Sequence, residues 1–455
     1  MTGISTDDVF SPSLGTKLLQ KRGIKYFLLI NPNLFSCVRI NQTAREIFEL
    51  CNGTNSLEDI SKILSNKYGI DLERLRKDVV QTTELLYSYG LLVRPNDPNP
   101  IPQDMFRVGN LEEVWINVTN KCNLHCLTCF KNAGTKYPRE LTVEEIESLV
   151  KEISSNFHHP TIIISGGEPT LREDLIHILK VIKDNMLKVH LITNGTLLTR
   201  SMISEWKSIG VDFVQVSLDG SKPEVNDVIR GEGIFQQVVN NVKLLKEFDL
   251  RFSLYPTICK LNLEDVPNMI KLFSEITGRS RFSAAFFAPV GRGSINEGDL
   301  AVSSDDYIEL FKRIIKDKRL SPMMRNLEGF ESQIDRVPPN LTRKLNCGLG
   351  TATISIDADG SVYPCHWLHL PQYKAGNIRE RRFSELYFKS EVLQRLRGIR
   401  VDKLENCAEC EIRYLCGGGC RALALIKNGS LEARFPYCDF FKFYFDHALW
   451  GVWDL

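Results

Sequence analysis

The sequence predicts an α/β protein built on mainly parallel strands, with a small α+β unit before it and a cysteine-rich segment after it. Three observations predict this. Strand-like and helix-like segments alternate six times between Val114 and Phe287. A run holding Pro95, Pro98, Pro100 and Pro102 sets off the first stretch of chain. Ten of the thirteen cysteines crowd into two clusters, Cys122 to Cys129 and Cys347 to Cys438. Alternation of strand and helix argues for parallel strands joined by helical crossovers. Six units are too few for a closed eight-unit barrel, so periodicity alone leaves an open doubly wound sheet and a partial barrel both standing.

Composition bounds the class. At 455 residues the chain suggests about three domains, or one large domain with attachments. Hydrophobic residues make up 43% and charged residues 25%, ample material for a packed core. Lys plus Arg against Asp plus Glu is 57 − 56 = +1, so no global field draws nucleic acid or an anionic membrane. Apolar runs such as Thr161 to Ile164 fall far short of the roughly 20 residues of a membrane helix. The first fifteen residues lack a charged-then-apolar signal region, which predicts a cytoplasmic protein without membrane or nucleic-acid partners.

The elements follow in order. Ile24 to Ile30 and Leu34 to Ile40 are β-rich runs around Asn31-Pro32-Asn33, a hairpin signal. Asn41 opens a helix through Leu50, and Ser56 with Asp59 predicts a capping box for Leu57 to Lys67. Asp71 caps a third helix, with Leu72, Leu75, Val79 and Leu86 on one stripe and Gly90 past its end. The proline run from Arg94 to Asp104 predicts a stiff, extended linker. Strands are expected at Val114–Val118, Thr161–Ser165, Val189–Thr193, Phe213–Leu218, Arg251–Thr257 and Arg281–Phe287. Thr142 and Glu145 cap a helix over Val143 to Phe157, and Ser303 to Glu328 reads as helical.

Isolated Cys37, Cys51 and Cys259 read as buried thiols, whereas crowding at ligand spacing marks the other ten as metal or iron–sulfur ligands. No export signal supports a disulfide framework. In Cys122-Asn-Leu-His-Cys126-Leu-Thr-Cys129-Phe130, three thiolates can bind three irons of a cubane and leave the fourth iron open. An open coordination position is what separates catalytic from structural metal sites. A zinc site would need a fourth ligand. Downstream come Cys347, Gly360-x4-Cys365, Cys407-x2-Cys410-x5-Cys416-x3-Cys420 and Cys438. Seven cysteines exceed the needs of one cubane, so two clusters are implied, with a pair of structural zinc sites as the alternative.

The CxxxCxxC string with its following aromatic residue resembles the radical S-adenosylmethionine (radical SAM) superfamily. Successive strand ends support the likeness: Gly166-Gly167-Glu168-Pro169, Thr193-Asn194-Gly195, Ser217-Leu218-Asp219-Gly220, then Asp227 with Arg230-Gly231. The resemblance implies a partial (β/α)6 barrel whose first cluster is held by Cys122, Cys126 and Cys129. It implies S-adenosylmethionine bound by Phe130, Gly166, Gly167, Glu168, Pro169, Asn194, Ser217, Asp219 and Arg230, the arginine pairing with the cofactor carboxylate. The later cysteines resemble the SPASM auxiliary-cluster extension. By that family's connectivity, Cys347, Cys365 and Cys420 hold one cluster, and Cys407, Cys410, Cys416 and Cys438 hold another. Only three cysteines serve the first, and a nearby His366 is either its completing ligand or a packed neighbour. Three [4Fe–4S] clusters follow in all.

The N-terminal unit, with its Asn52-Gly53 turn and terminal Tyr89-Gly90-Leu91-Leu92, resembles the winged-helix-like peptide-chaperone fold of pyrroloquinoline quinone biosynthesis (PqqD). That likeness implies leader-peptide recognition by strand addition, with a dimerisation or packing role as the alternative. The expected map is a recognition unit at 1–95, a linker at 96–109, the radical SAM core at 110–300, a bridging helical region at 301–345 and the SPASM segment at 346–455. The combination implies an enzyme that crosslinks or epimerises a ribosomally made precursor peptide, fed electrons by a donor such as flavodoxin or ferredoxin. Two alternatives remain: a radical enzyme acting on another protein, a porphyrin or RNA, and a non-catalytic iron–sulfur carrier. Catalytic acid–base groups are not assignable from the residues.

Overall fold

A computed structural model describes residues 4–450, except 22, 32, 34–35, 99–102, 105–106, 280–281, 318 and 321–341. The proline run, Pro32 of the hairpin turn and the end of the 303–328 helix therefore lie wholly or partly outside the described residues.

The N-terminal unit opens with an antiparallel sheet of β1 (Lys17–Gln20), β2 (Phe27–Asn31) and β3 (Ser36–Ile40), in that order. Helices α1 (Gln42–Leu50), α2 (Leu57–Tyr68) and α3 (Leu72–Ser88) follow. Their caps form as expected. The Asn41 side chain accepts from the Ala44 N–H, Ser56 and Asp59 close a reciprocal capping box, and Asp71 accepts from the Arg74 N–H. Strand β1 was not anticipated, because Lys17-Leu-Leu-Gln is too short to show alternation. Every residue of β2 is buried, and its two faces serve different cores. Phe27 and Leu29 pack on the unit's own helices, while Leu28 joins the main core of the protein.

The N-terminal sheet is thus not held at arm's length by its linker. Tyr26 stacks on Trp450 with ring centroids 6.2 Å apart. Lys17 pairs with Glu411 at 2.9 Å, Lys21 with Asp446 at 2.6 Å, and Arg413 donates to Asn33 at 2.7 Å. Exposed pairs of this kind contribute only about 0–1 kcal/mol each, so the apolar contacts carry the docking.

The central body alternates β4 (Glu113–Thr119), α4 (Val143–Asn156), β5 (Thr161–Gly166), α5 (Leu175–Asp184), β6 (Lys188–Thr193), α6 (Arg200–Ile209), β7 (Phe213–Ser217), α7 (Pro223–Arg230), α8 (Ile234–Glu247) and β8 (Phe252–Tyr255). Strands β4 to β8 are parallel, each paired with its predecessor in sequence. The fifth expected strand breaks at Pro256, which lacks the N–H a ladder needs. Beyond it, β9 (Thr257–Ile258) pairs with β10 (Ala285–Phe286) after α9 (Val266–Thr277). Among the described residues, the sixth strand expected over 281–287 is this two-residue segment. Helix α10 (Ser304–Lys316) is capped by Ser303 and Asp306.

The C-terminal segment enters the same sheet. Strand β11 (Thr353–Ile356) lies parallel to β4 on its free edge, and β12 (Ser361–Tyr363) and β13 (Gly376–Asn377) continue antiparallel. Among the described residues the sheet therefore has eight strands, ordered β8-β7-β6-β5-β4-β11-β12-β13. Helix α11 (Cys438–Trp450) packs its aromatic rings on α10: Phe311 lies 5.2 Å from Tyr444 and 6.0 Å from Phe440. Among the described residues no helix is long and apolar enough to cross a membrane.

Candidate active site in the barrel lumen

Parallel strands put their loops, and their chemistry, at the carboxyl edge. The loop after β4 carries Cys122, Cys126 and Cys129 there. Cys122 donates its N–H to Gly134 O at 3.0 Å, and Cys129 donates its N–H to Cys126 O at 3.3 Å. Burial pushes the Cys126 thiol up to about 11, against the pull of Arg230.

The loop is also gripped by Gly291 to Gly293, a segment that carries no expected site residue. Arg292 donates to Cys126 O at 3.1 Å and Ala133 O at 2.6 Å, while Gly293 N–H donates to Cys129 O at 3.1 Å. Gly291 lies so close that a Cβ there would stand 2.5 Å from Phe130 backbone atoms. The available signal was Gly291-Arg292-Gly293 after the sixth expected strand, a glycine pair like those at the other strand ends.

The GGEP turn presses on the same loop. A Cβ on Gly166, at φ +136°, would stand 2.2 Å from Thr119 O, and one on Gly167 would stand 2.2 Å from Lys121 O. Only glycine allows that approach. The Gly167 and Glu168 N–H groups then donate to Thr119 O and Lys121 O, each at 2.8 Å. Pro169 starts the turn that follows. The Glu168 side chain is fully buried and points inward: its oxygens accept from Thr170 Oγ1 (2.6 Å), Thr193 Oγ1 (2.7 Å) and Asn194 N–H (2.7 Å). Burial raises its pKa. The carboxylate thus pins the ends of β5 and β6 together. Asn194 in turn donates to Asn123 of the cysteine loop at 2.9 Å.

Asp219 and Arg230 meet in the barrel, with Nε 2.8 Å from Oδ2. Asp219 is fixed by the Thr257 N–H at 2.7 Å, and Arg230 Nη1 reaches Cys126 Sγ at 3.9 Å. Burial opposes the arginine's charge, but Asp219 and Cys126 outweigh it and raise its pKa. Asp227 does other work: it accepts from the Gly233 and Phe235 N–H groups at 2.9 and 2.8 Å, closing the turn into α8.

The downstream thiols lie close enough to one another to interact electrostatically. Cys420 feels Cys347 and Cys365, whereas Cys416 feels Cys438, Cys407 and Cys410. Burial pushes Cys365 and Cys416 up to about 12. Such thiols stay protonated until a cation compensates them, and an iron–sulfur cluster is a compensation suited to all-thiol sets of three and four. No three of the described His, Cys, Asp or Glu converge as ligands of a single metal ion. His366 stacks on Trp115 at 4.1 Å and meets Phe130 edge-on at 5.8 Å, so its ring is packed among aromatics; burial lowers its pKa to about 3. Cys51 and Cys259 are buried alone, and Cys37 is half-buried in β3.

Between the first loop and the auxiliary segment lies a lumen of about 510 Å3. Trp115, Ile163, Ser165, His190, Gln215, Ser217 and Tyr255 line it from the strands, Thr128 and Phe130 from the cysteine loop, and His366, Trp367, Cys420 and Phe441 from the C-terminal segment. Burial lowers His190 to about 4, so it is neutral near pH 7.

Residues 116–273 match the radical SAM superfamily, 27–92 match coenzyme PQQ synthesis protein D, and 347–411 match the SPASM iron–sulfur cluster-binding domain. The chain is 32% identical over 339 residues to AdoMet-dependent heme synthase of Methanosarcina barkeri, covering 70% of this chain and 94% of that protein. It is 27% identical over 329 residues to mycofactocin maturase MftC of Mycolicibacterium smegmatis, covering 70% and 81%. Streptococcus suis SuiB bound to its precursor peptide SuiA shares the fold, with TM-score 0.59 and 17% identity over 94% of this chain and 100% of that one. The chain belongs to the radical SAM superfamily, as a member with an N-terminal PqqD-like unit and a C-terminal SPASM segment.

Proposed function

We propose that this enzyme modifies a ribosomally made precursor peptide, forming a thioether or carbon–carbon crosslink. The observation that carries the reading is the lining of the lumen. Its described residues include no Lys or Arg, and Glu113 is their one carboxylate. Aromatic rings with a few neutral polar groups suit an uncharged peptide side chain. A porphyrin's propionates would be buried there without cationic partners, which costs several kcal/mol per charge. The PqqD-like unit supports a leader-binding step, as does the likeness to MftC and SuiB.

When bound, S-adenosylmethionine and a reduced [4Fe–4S] cluster supply a 5′-deoxyadenosyl radical that abstracts a substrate hydrogen. Cys122, Cys126 and Cys129 would hold that cluster. Cys347, Cys365 and Cys420, and separately Cys407, Cys410, Cys416 and Cys438, would hold two auxiliary clusters. Arg230, oriented by Asp219, would offer N–H groups to the cofactor carboxylate. The GGEP and Thr193-Asn194-Gly195 turns would set the cofactor's depth, Phe130 and Ser217 would flank it, and the aromatic lumen would exclude water. A flavodoxin or ferredoxin in a reducing cytoplasm would be the electron donor.

A porphyrin substrate is the second reading, favoured by the 32% identity to a heme synthase. Titrating the anaerobic holoenzyme with a candidate cysteine-containing precursor peptide, and separately with iron coproporphyrin, decides between them. Saturable peptide binding that needs residues 1–95 supports the proposal. Tight porphyrin binding with no peptide binding contradicts it.

A further inference from the structure

Lys131 follows the third cysteine of the first cluster loop by two residues, and its side chain is only 4% exposed. Its ammonium pairs with Asp357 Oδ1. Asp357 stands directly after β11, on the strand that joins the auxiliary segment to the barrel sheet. Its carboxylate also accepts from Asn117 of β4 at 3.4 Å and from the Ala358 N–H at 2.9 Å, and its other oxygen lies 3.3 Å from His369 Nδ1. His369 Nε2 lies 2.8 Å from Ser355 Oγ, and its ring stacks on Tyr363 at 4.4 Å. Burial opposes the Asp357 charge, yet His369 and Lys131 outweigh it and hold the carboxyl well below its usual range.

We infer that Lys131, Asp357 and His369 form a buried clamp through which the auxiliary segment positions the first cluster loop. Three facts point this way. The cluster loop and the auxiliary strand meet at a buried ion pair between residues 226 positions apart in sequence. Asn117, at the bulge of β4 from which the loop departs, binds the same carboxylate. Arg292 holds the same loop separately, at Cys126 O and Ala133 O, so Asp357 supplies a second jaw. Asp357 is a positioning residue: it acts on the cysteines through Lys131, and its own polar partners are Asn117, Lys131, Ala358 and His369. The clamp also makes geometric sense of a sheet continuous across the two parts, since β11 brings Asp357 to the level where the loop leaves β4. This inference rests on the first cysteine triplet being a cluster site and is independent of whether the substrate is a peptide or a porphyrin.

The test uses the anaerobically reconstituted full chain with S-adenosylmethionine as the probe. Asp357→Asn removes the charge and keeps the shape, leaving Lys131 buried and uncompensated. The expected result is retention of the auxiliary clusters, with the cofactor-induced change in the electron paramagnetic resonance spectrum requiring roughly tenfold or more cofactor, as for lost supporting contacts at metal sites. Lys131→Met in the Asp357→Asn background removes the orphaned charge and should recover part of that loss, and Lys131→Arg alone should stay near wild type. A cofactor response unchanged in Asp357→Asn would overturn the clamp. Equal loss of all clusters in Asp357→Asn, with no recovery in the double variant, would overturn it too, since the residue would then serve general folding. Loss of the first triplet's iron in the unmodified protein would sink the cluster-site premise separately.

Discussion

Arg230 reaches both the Asp219 carboxylate, 2.8 Å from its Nε, and Cys126 Sγ, 3.9 Å from its Nη1. This puts a buried cation beside the first cysteine triplet and fixes its direction from a strand end. A guanidinium so held loses little entropy when it meets a carboxylate, which is the advantage of preorganised binding.

Arg230→Ala should therefore do two kinds of damage. It leaves Asp219 buried without its partner, which costs about 3–5 kcal/mol of stability. It should also weaken cofactor binding by about 1.5–3 kcal/mol. Thermal unfolding and cofactor titration measure the two separately. Undiminished cofactor binding would remove Arg230 from the pocket.

Gly167→Ala tests the cradle. Its Cβ would press on the Lys121 carbonyl 2.2 Å away, and backbone on both sides leaves no rotamer to relieve it. The cofactor-responsive cluster signal should vanish while the auxiliary signals persist. A protein that keeps its full cofactor response would show that this turn is not part of the site.

Iron content tests the division of the cysteines. The reconstituted enzyme should hold about twelve irons, as three cubanes require. Replacing Cys122, Cys126 and Cys129 together with Ala should remove about four. Iron near four with stoichiometric zinc would contradict the auxiliary assignment.

Much of this site was legible beforehand because its signals are local. Thiol spacing, glycines at strand ends and the Ser56–Asp59 and Thr142–Glu145 caps depend on residues a few positions apart, and both caps form as read. What escaped depends on long-range pairing. Strand β11 is four residues whose partner β4 lies some 240 positions earlier, and no local pattern specifies that register. The Lys131–Asp357 pair is hidden for the same reason. Asp357-Ala-Asp-Gly360 reads as a turn, which it is, without revealing what its first carboxylate binds. Docking of the N-terminal sheet was obscured by the proline run, which suggested separation, whereas Leu28 alternating against Phe27 and Leu29 carries the contact.

Leu28→Ala should loosen that docking. The side chain is 1% exposed, and truncating a buried leucine costs about 2–5 kcal/mol. Formation of 5′-deoxyadenosine without substrate should survive, while conversion of a full-length precursor falls, because leader and lumen are no longer held in fixed register. Hydrogen exchange in β1 and α11 would report the loosening directly. Equal loss of both activities would make the contact a general support of the fold.

Hydrogen abstraction from a peptide inside the lumen is tested most directly by isotope transfer. A candidate precursor peptide that binds the holoenzyme, prepared with perdeuterated side chains, is incubated anaerobically with holoenzyme, S-adenosylmethionine and reductant. The account predicts deuterium in the 5′-deoxyadenosine and a peptide product shortened by two hydrogens for each crosslink. Unlabelled 5′-deoxyadenosine with an unchanged peptide, alongside label transfer from a deuterated porphyrin, would contradict it.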